Sequence, residues 1–145
     1  ENIMVGILTK FNGEIEGIMM YLLEKKFATD IIRQLLGVDV NLDEKLQEIE
    51  LSVISEIGNI LSASYINAIA SLTGLNINIS VPAVAIDMVG ALLCVPAMEM
   101  SVVSDEIIFV EGVLIDSNKE VTSNILLVPS MESLNIMMNR LGIDL

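Results

Sequence analysis

Histidine and tryptophan are absent from this chain, and cysteine occurs once. Without imidazole there is no Ser-His-Asp or Cys-His nucleophilic machinery, no histidine general base and no zinc site of the usual kinds. The lone thiol, Cys94, can form neither an intrachain disulfide nor a CxxC redox pair. Aromatic residues make up 3% of the chain, too few for a base-stacking platform. Lys and Arg number 7 against 20 Asp and Glu, a formal charge of -13 that repels polyphosphate backbones, so nucleic acid is not an expected partner. Any chemistry must use carboxylates, amides, hydroxyls, or groups that a partner supplies.

What is abundant is apolar. Hydrophobic residues account for 53% of 145 residues, enough for one well-filled domain and too short for two cores. The best candidate membrane span, Ile79 to Met98, contains Pro82, Asp87, Gly90 and Pro96 and begins with strand-like alternation, so it reads as core, without a transmembrane segment. The chain opens Glu1-Asn2-Ile3, with no basic region of a signal peptide and no Met. Cys94 lies in an apolar run and is expected to be a small buried residue of a protein kept in a reducing cytoplasm. The nine Met residues, Met19, Met20, Met137 and Met138 among them, are expected to fill the core.

Residues 3–11 read as a strand, Asn12-Gly13 as a hairpin signal, and a second strand follows to about Leu23. Phe27, Ile31, Ile32, Leu35 and Leu36 have helical spacing, with Gly37 as the cap. Asn41 with Glu44 forms a candidate capping box for a long helix, whose stripe Leu46, Ile49, Val53, Ile57, Ile60, Leu61 and Ala68 is expected to face inward until Thr73-Gly74. Asn76 to about Val84 alternates as a strand, and Asp87 to Val95 reads as a short helix before Pro96. Residues 106–115 and 121–128 form a second hairpin across Asn118, and Ser133 to Leu141 a closing helix capped by Gly142.

The two hairpin-helix units resemble each other. When residues 1–37 are laid over 106–142, Glu1, Ile3, Val5, Leu22, Ile31, Leu36 and Gly37 meet Glu106, Ile108, Val110, Leu127, Ile136, Leu141 and Gly142. The second unit is preceded by a long helix and a strand, whereas the first begins at residue 1. The expectation is a single domain over 1–145 with an internal repeat, lacking about 50 residues of its first unit. Its fold class is α/β of the α+β kind: a two-layer arrangement of a mainly antiparallel sheet of about five strands against helices.

The long helix carries an unusual outward stripe. At 100° per residue, Ser52, Glu56 and Asn59 fall at roughly 0°, 40° and 340°, a hydroxyl, a carboxylate and an amide in one line. Positions three and four residues from Glu56 hold Val53, Ser52, Asn59 and Ile60, none of them a cation. Gly58 costs about 1 kcal/mol of helix propensity relative to Ala, and its missing Cβ is expected to thin the flank of the stripe so that another surface can approach.

The string Ser52-Val-Ile-Ser-Glu56-Ile-Gly58-Asn59, followed after residues 60–81 by Pro82, resembles the signature of the CheC family of chemotaxis phosphatases, which includes CheX and FliY. Ser52, Glu56, Asn59 and Pro82 stand at its four positions with its spacings. The flanks Ser62-Ala-Ser-Tyr-Ile-Asn-Ala and Pro82-Ala-Val-Ala-Ile-Asp87-Met are most similar to CheC proper. The single-signature CheX ranks lower on those flanks, and the motor-binding regions of FliY are not seen.

The resemblance implies a cytoplasmic hydrolase of two-component signalling: a protein phosphatase that removes the aspartyl phosphate of a CheY-type response regulator. Under it Glu56 docks to the regulator's lysine and Asn59 orients the attacking water. Ser52, Gly58 and Pro82 support the motif, and the chain has no cofactor of its own because the regulator holds the catalytic magnesium. The alternative within the same resemblance is a non-catalytic chemotaxis or flagellar-switch binding module, for example one that binds a CheD-type receptor deamidase. A carboxylate metal site does not fit a Glu56 with no second acid within a turn. A sheet patch left uncovered by a missing first helix would favour a homodimer.

Overall fold

The computed structural model describes residues 3–42, 44–100, 108–116 and 119–143. The chain order is β1 (Ile3–Gly13), β2 (Gly17–Glu24), α1 (Lys25–Leu36), α2 (Glu48–Thr73), β3 (Ile77–Ile79), β4 (Ala83–Met88), α3 (Val89–Met100), β5 (Ile108–Asp116), β6 (Lys119–Pro129) and α4 (Met131–Arg140). The strands form one six-stranded antiparallel sheet in the order β3-β1-β2-β6-β5, with β4 also paired to β1. This is the expected α+β arrangement. The two hairpins lie side by side through β2 and β6, each followed by a helix, as the internal repeat anticipates.

Alternation along β1 and β2 creates two apolar faces. Val5, Ile7, Phe11, Met19, Tyr21 and Leu23 point into the main core, where α1, α2 and α4 supply Ala28, Ile32, Ile54, Ile66 and Met137. On the opposite face Met20, Leu22 and Leu126 enclose Leu92 of α3 in a smaller cluster. Met19, Met20 and Met137 are core residues, as expected of them, whereas Met138 is half-buried and Met88 and Met131 are exposed.

Several local expectations are corrected. Asn12-Gly13 does not form the turn of the first hairpin: both residues remain in β1, paired with Asn78 and Ile77 of β3, and the chain reverses over residues 14–16. Asn41 and Glu44 do not start α2, which begins at Glu48 with Gln47 at its N-cap. Leu42 and Leu46 are instead buried from a non-helical connection, and burying both takes precedence over the capping box. Glu48 and Glu50 then place negative charge in the first turn, where the helix dipole favours it. Helix α3 runs past Pro96 to Met100 rather than ending before it. Cys94 is exposed, because Leu92 takes the inward position and two residues further on a helix turns away from it. The turn expected across Asn118 lies outside the described residues.

The inward face of α2 is also rotated from the one expected. Ile54, Gly58, Ser62 and Ile66 are buried, while Ile49 and Ile60 are 57% and 55% exposed and Ala68 is exposed as well. Small residues at 58 and 62 let the helix lie close on β1. There the buried hydroxyls of Thr9 and Ser62 hydrogen-bond at 3.0 Å, and Tyr21 donates to the Leu61 carbonyl at 2.9 Å. Gly74, in the left-handed conformation at φ 72°, ends the helix by donating its N–H to Ala70.

Candidate functional site

With Gly58 and Ser62 turned to the sheet, the adjoining flank of α2 carries Ser52, Glu56 and Asn59. Ser52 and Glu56 are exposed and Asn59 half-buried. All three line one open groove of about 530 Å³ with Leu51 and Ser55. The far wall is Ile79, Ser80, Val81 and Pro82, from the edge of the sheet. Four of the residues singled out from the sequence, Ser52, Glu56, Asn59 and Pro82, therefore meet in one place. Gly58 does not. It faces inward, and the surface its missing Cβ admits is Ile7 of β1 rather than a partner.

The far wall exists because the strand after α2 is broken. Phe11 pairs with Ile79 and Leu8 with Ala83, so Thr9 and Lys10 face three residues, Ser80, Val81 and Pro82. This is a β-bulge with one extra residue. Ser80 closes it by donating its N–H to the Lys10 carbonyl at 2.8 Å and accepting the Lys10 N–H on its hydroxyl at 3.0 Å. Pro82 fits there because it has no N–H to give to the ladder. The expected continuous strand from Asn76 to Val84 is thus two, β3 and β4, with the site at their junction.

Sequence reasoning missed Ser55, Ser80 and Val81. A signal for the bulge is present: the inward apolar positions run Ile77, Ile79 and then Val84, Ile86, a switch from odd to even numbers that marks one inserted residue.

Among the described residues, neither the Glu56 carboxylate nor the Asn59 amide has a hydrogen-bond or ion-pair partner. No group of three or more Cys, Asp or Glu residues among them is placed to hold a metal ion. No helix among them is long and apolar enough to cross a membrane. The site thus offers an acceptor charge and a bifunctional amide on a rigid helix, beside an apolar wall, with the other reacting groups still to be supplied.

The chain matches the model of the CheC-like family over residues 49–86, the segment that spans Ser52 to Pro82. It is 30% identical over 146 residues to the CheY-P phosphatase CheC of Bacillus subtilis (strain 168), covering 98% of this chain and 70% of that protein. Its fold is similar to that of Thermotoga maritima FliY, with a TM-score of 0.72 and 23% identity, over 98% of this chain and 72% of that one. A chain of the CheX-CheY-BeF3-magnesium complex of Borrelia burgdorferi matches with a TM-score of 0.56 and 16% identity, over 87% of this chain and 75% of its own.

Proposed function

The chain belongs to the CheC-like family, and from that premise we propose that it is a protein phosphatase that hydrolyses the aspartyl phosphate of a CheY-type response regulator in chemotaxis signalling. The observation that carries this reading is the pairing, on one groove, of a carboxylate and an amide one turn apart on α2, neither with a partner among the described residues.

An acyl phosphate is already activated, so positioning a water and balancing charge suffice, and a catalyst without histidine can supply the first of these. Glu56 accepts the regulator's lysine as an ion pair and sets the approach of the helix. Asn59 then orients water against phosphorus through its side-chain amide. The water oxygen bonds to phosphorus as the bond to the aspartate oxygen breaks. Its electron pair stays on the aspartate carboxylate, and the water's proton leaves with the phosphate or to solvent. Magnesium, which would spread the charge of the phosphoryl oxygens, is assigned to the regulator, as the CheX-CheY-BeF3-magnesium complex of the structural relative suggests. Pro82 shapes the far wall through the bulge, and Ser52 borders the groove on the helix side.

The test is the rate of phosphoryl loss from a phosphorylated CheY-type receiver domain in the presence of the full chain. Asn59→Ala is expected to lower kcat about 100-fold with little change in KM, as loss of a water-positioning group does. Glu56→Ala is expected to raise KM 10-fold or more, by about the worth of a charge pair at an interface. Full activity in Asn59→Ala would remove the mechanism. A wild-type chain that leaves the phosphoryl group intact would favour the non-catalytic binding module.

A further inference from the structure

Val81 is the most exposed large apolar side chain among the described residues, at 87%. In an unbroken strand it would share the inward face of Ile77 and Ile79. The bulge turns it out instead, onto the rim of the groove that holds Glu56 and Asn59. It is also held there. Ser80, just before it, is bonded through both its N–H and its hydroxyl to the backbone of Lys10, and Pro82, just after it, has a fixed φ. A β-branched side chain on such a backbone loses little freedom when a partner covers it.

The helix side of the site has a matching border. Leu51, 37% exposed, lines the same groove from α2, and Ile60 stands one turn after Glu56, more than half exposed. A carboxylate and an amide without partners among the described residues are therefore bordered by apolar side chains from two separate elements, the composition of an interface centre rather than of a solvated helix face. The occupant must bring a cation to Glu56. It approaches a chain of charge -13, so long-range attraction cannot be relied on to hold an acidic protein in place. Affinity has to come from contacts made at short range.

We propose that Val81 is a specificity-determining contact for the phosphorylated receiver domain, an apolar anchor that packs beside the phosphorylated aspartate while Glu56 pairs with the lysine. This rests on the phosphatase reading above and names the part of the site that selects the partner.

The experiment is steady-state hydrolysis of a phosphorylated CheY-type receiver by the full chain and three variants. Val81→Ser is expected to raise KM about 10-fold with kcat within about two-fold of wild type, as truncation of a buried apolar anchor does. Its melting temperature should not change, because the side chain touches little in the free protein. Val81→Ile should restore KM. Leu72→Ser, which truncates a side chain 73% exposed at the far end of the same helix, should leave both constants unchanged. If wild type is active and Val81→Ser keeps the wild-type KM, the assignment of Val81 fails and the phosphatase reading stands. If wild type itself is inactive on the receiver, both fail together.

Discussion

Gly58 of α2 lies directly on Ile7 of β1: a Cβ built at position 58 would overlap the Ile7 Cγ2 methyl far inside van der Waals contact. This contact sets how closely the helix approaches the sheet, and so where Glu56 and Asn59 sit relative to the bulge. Gly58→Ala gains about 1 kcal/mol of helix propensity but overpacks the contact at a cost of about 1–3 kcal/mol, because Ile7 is fully buried and has nowhere to move. The expected net result is a less stable protein, with the proposed phosphatase activity impaired. Ile7→Ala removes the opposing methyl, so the double variant should be less destabilised than the two single changes added together. Denaturant midpoints of the four proteins measure the coupling, and strict additivity would show that the contact does not limit the approach.

The same contact explains why much of the site was legible in the sequence while its setting was not. The azimuths of Ser52, Glu56 and Asn59 depend only on helical geometry, and a long helix ending at Gly74 was plain from its period and its cap. Which face of that helix turned inward was a matter of packing. Counting apolar residues favoured the side of Ile49 and Ile60, whereas the sheet selected the smaller side of Gly58 and Ser62 because close approach to β1 brings more of the helix into contact. Hydrophobicity alone does not weigh that gain. The hairpins and the α+β class followed from alternation and turn residues, yet Asn12-Gly13 was drawn out of its turn by pairing with β3, a partner distant in sequence. The bulge was encoded in the phase shift between Ile79 and Val84, but its role became evident only once it stood across the groove from Glu56.

A second anchor of α2 titrates. Burial, and to a lesser extent Tyr65, pushes the Tyr21 phenol from its ordinary 10.0 up to about 12, and its O–H donates to the Leu61 carbonyl. A raised pKa on an acid means that the folded state keeps the neutral phenol. Its contribution is complete below pH 10 and is lost as pH climbs from 10 to about 12, where the unfolded chain has already released the proton. Melting temperature should therefore fall across that window. Tyr21→Phe removes the hydrogen bond, costing about 1 kcal/mol near neutral pH, and should show a shallower alkaline fall. Some slope remains in that variant, since burial raises Tyr65 as well. Parallel alkaline curves for the two proteins would contradict the assignment.

Salt separates the two electrostatic contributions at the proposed site. The ion pair between Glu56 and a receiver lysine is a contact-range attraction, partly shielded from solvent once the surfaces meet, so added salt weakens it only modestly. The charge of -13 acts over the whole approach and opposes a receiver of net negative charge. Raising ionic strength from about 0.02 to 0.2 M shortens the screening length several-fold, which removes more of the diffuse repulsion than of the local attraction. For an acidic receiver kcat/KM should accordingly rise with sodium chloride, chiefly through KM. Glu56→Gln keeps most of the repulsion but lacks the pair, so its kcat/KM should be lower throughout and rise more steeply. A wild-type kcat/KM that instead falls steeply with salt would mean that steering by a local charge pattern dominates, and that net charge is a poor guide to how this surface meets its partner.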